Sequence, residues 1–535
     1  MKIKSLFISN YKNVDNIRLE FDAELTLLVG KNGLGKSNLL EALALIFRDL
    51  EFLENEEDYV NWAFVDGNFE YELCYECKGL QIAIKCYKGS FNFFEIAADL
   101  NAKPKLIDFE TFKRNRKNKY LPDFIIGYYS GENKRIGSII SKHEDVQFSN
   151  LRSLNRSTSL NRQDDPMRRI FFTQNFHSQL LLLTLVAFED YPSFGNKVSE
   201  LLHDYLGIEK VVNFDIRFNN PDWNYSAINK INKGADFLIE NINSREEVKF
   251  PFWNVKGKVD MLLTRFYNHL IEKGIEPIIY PNQGEDTRNF VREFIEFNDI
   301  GFEKFKSELS EYVNKPLNFF DSLESSIILN ILNNIKFTVK KFNHDFFINF
   351  NELSEGEQQL ITILSLLLIY GEYECLFLFD EPDTHLNPSW QRDFVQSIKE
   401  FNLNKENSHI IVATHSPLIV QSASAADILL YRYAENGQVI VENNKNLQIH
   451  NWRIDQVLAS EFFDFKSTRP PSLDGFMRLR EKILSKGLDV QTKAELQQLE
   501  NEFGVLPTGE TLEEIESLRL IKTITDRLKN SDDQN

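Results

Sequence analysis

The chain has little cysteine, no long apolar run and no surplus of positive charge, and each shortage excludes a class of function. Its 535 residues hold four cysteines, Cys74, Cys77, Cys86 and Cys375. So few, in no repeating pattern, do not make a disulfide framework and fit a reducing cytoplasm. Cys74 and Cys77 form a CxxC, but no second CxxC or Cys/His pair follows at zinc spacing. The stretch around them, FEYELCYECKGLQIAIKCY, reads as a β-hairpin, and a strand points residues three apart to opposite faces. These cysteines are therefore read as structural. The longest apolar runs, LLLLTLVAF and LITILSLLLIY, fall well short of the roughly 20 residues that span a bilayer. MKIKSLFISNYK at the N-terminus lacks the apolar region and cleavage site of a signal peptide. A soluble chain with no membrane partner is expected. The net charge of −19 argues against a general nucleic-acid coat or an anionic-membrane binder. Any DNA or RNA contact has to come from a local basic patch.

The length allows more than one structural unit. IRLEF alternates apolar and charged residues with period two, the pattern of a half-buried strand. ELTLLVG then makes a short apolar run ending in glycine, and KSNLLEALALIF is strongly helical. Between them GKNGLGKS, Gly30 to Ser37, fits the phosphate-loop pattern G-x-x-x-x-G-K-[ST] without a mismatch. Gly30, Gly33 and Gly35 let the backbone wrap a polyphosphate with its N–H groups turned inward. Lys36 is placed to reach the β- and γ-phosphates and the Ser37 hydroxyl to bind Mg²⁺. Asn32 and Asn38 complete the candidate ATP-binding set, and the helix adds its positive N-terminal end.

LFLFDEPDTHLNP puts Asp380 and Glu381 at the C-terminal end of a buried strand, the edge where open α/β sheets bind ligands. Adjacent acids are costly to bury without a metal or a substrate proton to serve. Asp380 is placed to hold Mg²⁺ and Glu381 to polarise an attacking water. SHIIVATHSPLIV is a second buried strand with Thr414-His415-Ser416 at its end, and His415 is read as a γ-phosphate contact. NELSEGEQQLITIL runs a polar first turn, with Ser354, Gly356 and Glu357, into a dense apolar helix.

In this order the four motifs resemble the ATP-binding-cassette ATPases, in the branch of the RecF, SMC and OLD-like proteins, over residues 1–135 and 336–435. The resemblance makes LSEGEQQ the signature motif, DEPDTHLNP the Walker B and D-loop, and THSP the histidine switch. It implies a homodimer that sandwiches two ATPs, with each signature meeting the γ-phosphate held by the other copy. On that view Ser354 and Gly356 keep the helix N–H groups clear for the incoming anion. Asp383 in the D-loop crosses the interface and couples the two sites. Lys12 matches a basic residue near the nucleotide, and YYSGEN lies where a coupling glutamine loop is expected, though it holds no glutamine.

The implied fold class is α/β: a two-lobed ABC-ATPase head with a mixed β-sheet and flanking helices, a helical insertion and a helical C-terminal extension. Residues 1–138 form the lobe with Walker A, 139–335 the helical insertion, and 336–435 the lobe with the signature, Walker B, D-loop and histidine switch. Residues 436–535 form a helical region whose apolar stripes, Leu496-Leu499-Phe503 and Leu512 to Leu528, are either core or a docking surface for a partner.

Exclusions narrow the branch. No heptads run long enough for an SMC arm. No D-x-D follows Asp383 to hold the metals of a Toprim nuclease, and His450 stands alone without an HNH-like cluster. An ATPase that is not itself a nuclease is expected. A compact head of this kind resembles the PtuA-like ATPase subunits of Septu-type antiphage defence systems, retron-associated forms included. That resemblance implies an HNH-type nuclease partner gated by the ATPase, with assembly beyond the dimer left open. A RecF-like repair ATPase and an OLD-like ATPase without a nuclease domain are the alternatives. FKRNRKNKY gathers Lys113, Arg114, Arg116, Lys117 and Lys119 between aromatics, and LRSLNRSTSLNRQDDPMRR carries Arg152, Arg156, Arg162, Arg168 and Arg169. Each is either a solvated loop or a nucleic-acid contact.

Overall fold

The computed structural model describes residues 1–53, 69–97, 103–131, 144–152, 168–174, 176–221, 253, 255–272, 278–280, 294–301, 315–403, 405–423, 428–443 and 449–463, with scattered positions between 475 and 521. The first strands are β1 (Lys2–Ser9), β2 (Ile17–Glu20), β3 (Leu25–Gly30), β4 (Glu70–Cys77), β5 (Leu80–Tyr87), β6 (Ser90–Ile96), β7 (Lys105–Ile107), β8 (Phe124–Tyr129) and β9 (Ile170–Phe172). After them come β10 (Ile208–Asn219), β11 (Ile278–Tyr280), β12 (Phe294–Gly301), β13 (Leu332–Lys341), β14 (Phe347–Asn349), β15 (Cys375–Asp380), β16 (Ser408–Ala413), β17 (Ile428–Tyr433) and β18 (Val439–Asn443).

Alternating strands make an antiparallel sheet in the order β2-β1-β4-β5-β6-β7. In β2 the apolar Ile17 and Leu19 are buried while Arg18 and Glu20 are exposed. β4 and β5 join through Lys78-Gly79, both at positive φ (51° and 73°), as a two-residue hairpin turn requires. Alternation buries Cys77 with Tyr71, Leu73 and Tyr75 and sends Cys74 to the opposite face.

Mostly apolar strands make the central sheet, β18-β17-β3-β16-β15-β8-β9. Every neighbouring pair is parallel except β17 with β18. β3, β15 and β16 are buried along their whole length, as strands covered on both faces must be. In register, Ala413 pairs with Asp380 and Leu28, and Asp380 with Tyr129. The C-terminal ends of β3, β16, β15 and β8 therefore reach one edge together. The helix Lys36–Phe52 lies between the two sheets, and its Leu39, Leu43, Ile46 and Phe47 share one core with Leu6, Ile8 and Tyr71 on one side and Leu28, Leu376 and Ile411 on the other.

His409 stitches the sheets from within. Fully buried on β16, its Nδ1 accepts from the Ile3 N–H at 3.1 Å, and its Nε2 lies 3.1 Å from Thr26 Oγ1. Burial, with help from the N-terminal ammonium and Lys2 and Lys4, lowers its pKa to about 3. The unfolded chain would protonate this imidazole near pH 6.5 while the fold refuses the proton, so the stability it supports is complete above that pH and is lost on acidification. The loss should reach on the order of 2 kcal/mol at pH 5. Asp380 and Asp383, whose carboxyls are raised to about 6, act in the opposite sense. Melts of wild type and His409→Gln at pH 5 and pH 7 isolate the term: the variant should show the shallower acid loss, and equal slopes would exonerate His409.

Two sequence expectations need correcting. Residues 139–335 do contain helices, His177–Ala187, Gly257–Glu272 and Pro316–Ile328, but they also supply β9 to β12 and part of β13. An antiparallel sheet, β11-β12-β10-β13-β14, carries the helix Gly257–Glu272, whose Phe266 rests against Phe214, Phe218 and Phe297. The second concerns the boundary at residue 435. β18 pairs with β17, and the first compact unit runs to Trp452. In the second unit, Arg453–Asn535, the helix Ile454–Ala459 is described, whereas most residues of the predicted stripes lie outside the described residues. Among the described residues no helix is long and apolar enough to cross a membrane.

Candidate active site

β3 delivers the phosphate loop at the sheet edge. Gly30 has φ +142°, and a Cβ there would strike the Tyr431 carbonyl oxygen of β17, so the strand can end this way only in glycine. A Cβ on Gly33, at φ +82°, would meet no other atom within 4 Å, which leaves the outer side of the loop clear. Lys36 is buried at the start of the helix and its Nζ donates to the carbonyls of Gly30 (2.8 Å) and Lys31 (3.1 Å). Burial lowers its pKa to about 8, against the pull of Glu381 and Asp380. Asn32 is exposed on the loop, and Asn38 donates to Asn13 Oδ1 at 2.5 Å. Gly35 packs close to the same Asn13, and Lys12 pairs with Glu41 of the helix. The turn between β1 and β2 thus braces the loop, a role that sequence spacing did not reveal.

Ser37 Oγ donates to Asp380 Oδ1 at 2.9 Å, closing a contact between β15 and the phosphate-loop helix. Asp380 Oδ2 is buried without a hydrogen-bond partner. Burial pushes this carboxyl up to about 6, although the Ser37 hydrogen bond pulls the other way. A serine hydroxyl beside a carboxylate with a spare buried oxygen is a hard-oxygen donor pair that fits Mg²⁺. No cluster of three or more His, Cys, Asp or Glu able to hold a metal occurs among the described residues. Mg²⁺ does not need one, since phosphates and waters complete its shell.

Glu381 follows in the left-handed region at φ +50°, a costly conformation for this residue type. Its N–H donates to the Ala413 carbonyl at 2.9 Å, and its own carbonyl accepts from Thr384 Oγ1 at 2.9 Å. His415 Nε2 lies 3.5 Å from Glu381 Oε1. Burial, with Lys36 nearby, lowers the His415 pKa to about 4, so the imidazole is neutral at pH 7. Lys36, Ser37, Asp380, Glu381 and His415 are all brought to one edge.

The signature and D-loop residues are placed differently from what the sequence suggested. Asp383 is buried rather than projecting outward, and accepts a hydrogen bond from Thr414 Oγ1 at 2.8 Å. Thr384, His385 and Asn387 are the exposed residues of that loop. Ser354 caps the helix Glu355–Ile369 and forms a reciprocal pair with Glu357, which also meets Lys341. A Cβ on Gly356 would lie 2.5 Å from the His385 carbonyl oxygen. The bare first turn therefore has an internal reason as well: the missing Cβ admits the D-loop of its own chain. His385 Nδ1 to Glu355 Oε2 at 2.8 Å, and Gln359 to the Pro382 carbonyl, hold the same contact. At the end of β8, Ser130 Oγ lies 3.0 Å from Thr384 Oγ1, while Glu132 and Asn133 of YYSGEN lie outside the described residues.

Much of the basic sequence is already committed. Arg116 is buried and donates to the Leu53 carbonyl, so it is a structural residue and not a nucleic-acid contact. Lys117 stands 3.7 Å from Glu51 and Lys119 3.3 Å from Glu95; Arg114 is exposed and Lys113 half-buried. In the second stretch Arg168 is buried between Glu324 (2.5 Å) and Glu144 (2.8 Å), and Arg169 donates to the carbonyls of Pro122 and Lys117. Arg152 is half-buried, and Arg156 and Arg162 lie outside the described residues.

The family model of the AAA ATPase domain matches residues 1–420. The Septu protein PtuA of Bacillus thuringiensis is 32% identical over 102 residues, 19% of this chain and 25% of that protein. The "Retron Vc95 probable ATPase" of Vibrio cholerae is 20% identical over 443 residues, 80% of this chain and 73% of that one. A DNA replication and repair protein RecF of Clostridium acetobutylicum is 22% identical over 289 residues, 51% of this chain and 69% of that one. The chain thus spans a quarter of the Septu protein's length and about seven tenths of the other two. With its phosphate loop, acidic strand end and histidine at one edge of a parallel sheet, the chain belongs to the AAA ATPase domain family.

Proposed function

We propose that the chain is the ATP-binding and ATP-hydrolysing regulatory subunit of an antiphage defence complex, which closes head-to-head with a second copy around two ATPs and gates a partner HNH-type nuclease. The observation that carries the enzymatic part is the convergence of Ser37, Asp380, Glu381 and His415 at the mouth of the phosphate loop. Lys36 exchanges its two loop carbonyls for phosphate oxygens. Ser37 and Asp380 would hold Mg²⁺, which would supply charge neutralisation to the bound phosphates. Glu381 accepts the proton of the attacking water, and the neutral His415 donates a hydrogen bond to the γ-phosphate. Ser354 and Gly356 of the second copy complete the γ-phosphate site at their helix N-terminus. The names of the Septu and retron relatives support the defence role.

The test is composition. Tagged Glu381→Gln protein, isolated from its native host in Mg-ATP, should carry a stoichiometric HNH-type nuclease identifiable by mass spectrometry. Recombination mediators or single-strand DNA-binding proteins in its place would move the chain to the repair reading, which the RecF match favours.

A further inference from the structure

We infer that Asp383 and Gln391 are positioning residues for His415, acting through a closed ring of hydrogen bonds that pins both neighbours of the histidine to the loop after Glu381. The ring has four bonds. Thr414 Oγ1 donates to Asp383 Oδ1 at 2.8 Å, and the Ser416 N–H donates to Thr414 Oγ1 at 2.9 Å. Ser416 Oγ donates to Gln391 Oε1 at 2.8 Å, and Gln391 Nε2 returns to the Asp383 carbonyl at 3.2 Å, with a branch to the Leu386 carbonyl at 2.9 Å. Only this orientation of the Gln391 amide satisfies all its partners, because both carbonyls can only accept. Thr414, Ser416 and Asp383 are all buried, so water does not compete for these bonds.

His415 projects from this ring toward Glu381, with Nε2 3.5 Å from Oε1, just beyond hydrogen-bonding distance. At such a separation a shift of a fraction of an ångström makes or breaks the contact, so the placement of the Thr414–Ser416 turn decides whether the histidine works. Three elements supply the ring: the loop after β15, the helix Pro388–Phe401 and the end of β16. The same loop presents the His385 carbonyl to Gly356, so the ring joins the signature helix to the histidine within one chain.

This inference rests on the proposed role of His415, and the experiment separates the two. Steady-state ATPase assays on the full chain should show kcat lowered about tenfold or more in Asp383→Ala, Thr414→Val and Gln391→Leu, with KM for ATP within about twofold of wild type. The pair Asp383→Ala/Thr414→Val should be no slower than the worse single variant. Asp383→Asn, which keeps the acceptor oxygen, should recover most of the loss, as should Thr414→Ser if Thr414→Val or Asp383→Ala fails to fold by circular dichroism. Arg392→Ala, exposed on the same helix as Gln391, should match wild type. If His415→Ala itself leaves kcat unchanged, the histidine assignment fails and the ring falls with it. If His415→Ala is slow while the ring variants match wild type, lose kcat and ATP affinity together, or combine additively, the ring is overturned and the histidine assignment stands.

Discussion

Glu381→Gln should bind ATP as tightly as wild type and hydrolyse it at least about 100-fold more slowly, the lower end of what a positioned general base contributes. Glutamine keeps the size of the side chain, and the backbone bond from residue 381 to Ala413 that fixes the left-handed turn does not depend on the side chain. What it removes is the ability to accept the proton of the attacking water. Phosphate release measures the rate, and on the proposed ATP-closed dimer mass photometry in Mg-ATP should show dimers that persist. Lys36→Ala should instead lose nucleotide binding, since its Nζ, held on the carbonyls of Gly30 and Lys31, is the cationic group placed inside the loop. A Glu381→Gln protein that releases phosphate at the wild-type rate would remove this residue from the chemistry.

Arg168→Met should destabilise the fold by about 3–5 kcal/mol, the usual result of stripping one partner from a buried ion pair. The Arg168 side chain is 3% exposed and Glu324 5%, so the carboxylate left behind has no route to water. Glu144, at 35% exposure, can relax outward and adds less. The position magnifies the effect: Arg168 leads into β9 at the edge of the central sheet, and Glu324 lies on the helix Pro316–Ile328. Denaturant titration of Arg168→Met should show the loss, and Arg168→Met/Glu324→Leu should regain most of it, because an apolar pair leaves no orphaned charge. A single-variant loss under about 1 kcal/mol would mean that Glu324 is solvated in the folded state.

The convergence of the candidate residues at one sheet edge was legible in sequence because its parts are local. Gly30 to Ser37 carries its own turn chemistry, and the apolar runs before Asp380 and His415 are strands whose ends must be exposed to something. What was not legible depends on partners far along the chain. Asp383 reads as an interface residue until Thr414 is seen beside it, and Arg116 reads as part of a basic patch until its guanidinium is found on the Leu53 carbonyl. Gly356 reads only as room for an anion until the His385 carbonyl is seen packed against it as a second reason for a glycine there. The sheet around β10 escaped for a related reason. β10 finds its partners in β12 and β13, far later in the sequence, and the intervening polar segments break the regular spacing that marks consecutive hairpins.

The order of the central sheet also sets a schedule for the ribosome. β3 emerges early, but both of its neighbours, β16 and β17, are encoded only after residue 407. At elongation rates of roughly 5–20 residues per second, a strand destined for complete burial waits tens of seconds with both edges bare. The nascent chain can fold its β1–β2–β4 sheet in that interval, but it cannot finish a nucleotide site, because Asp380 has yet to be translated. A transcript cut short before that point yields a protein with a phosphate loop and no means of using it, and with an unpaired strand that invites chaperones or aggregation.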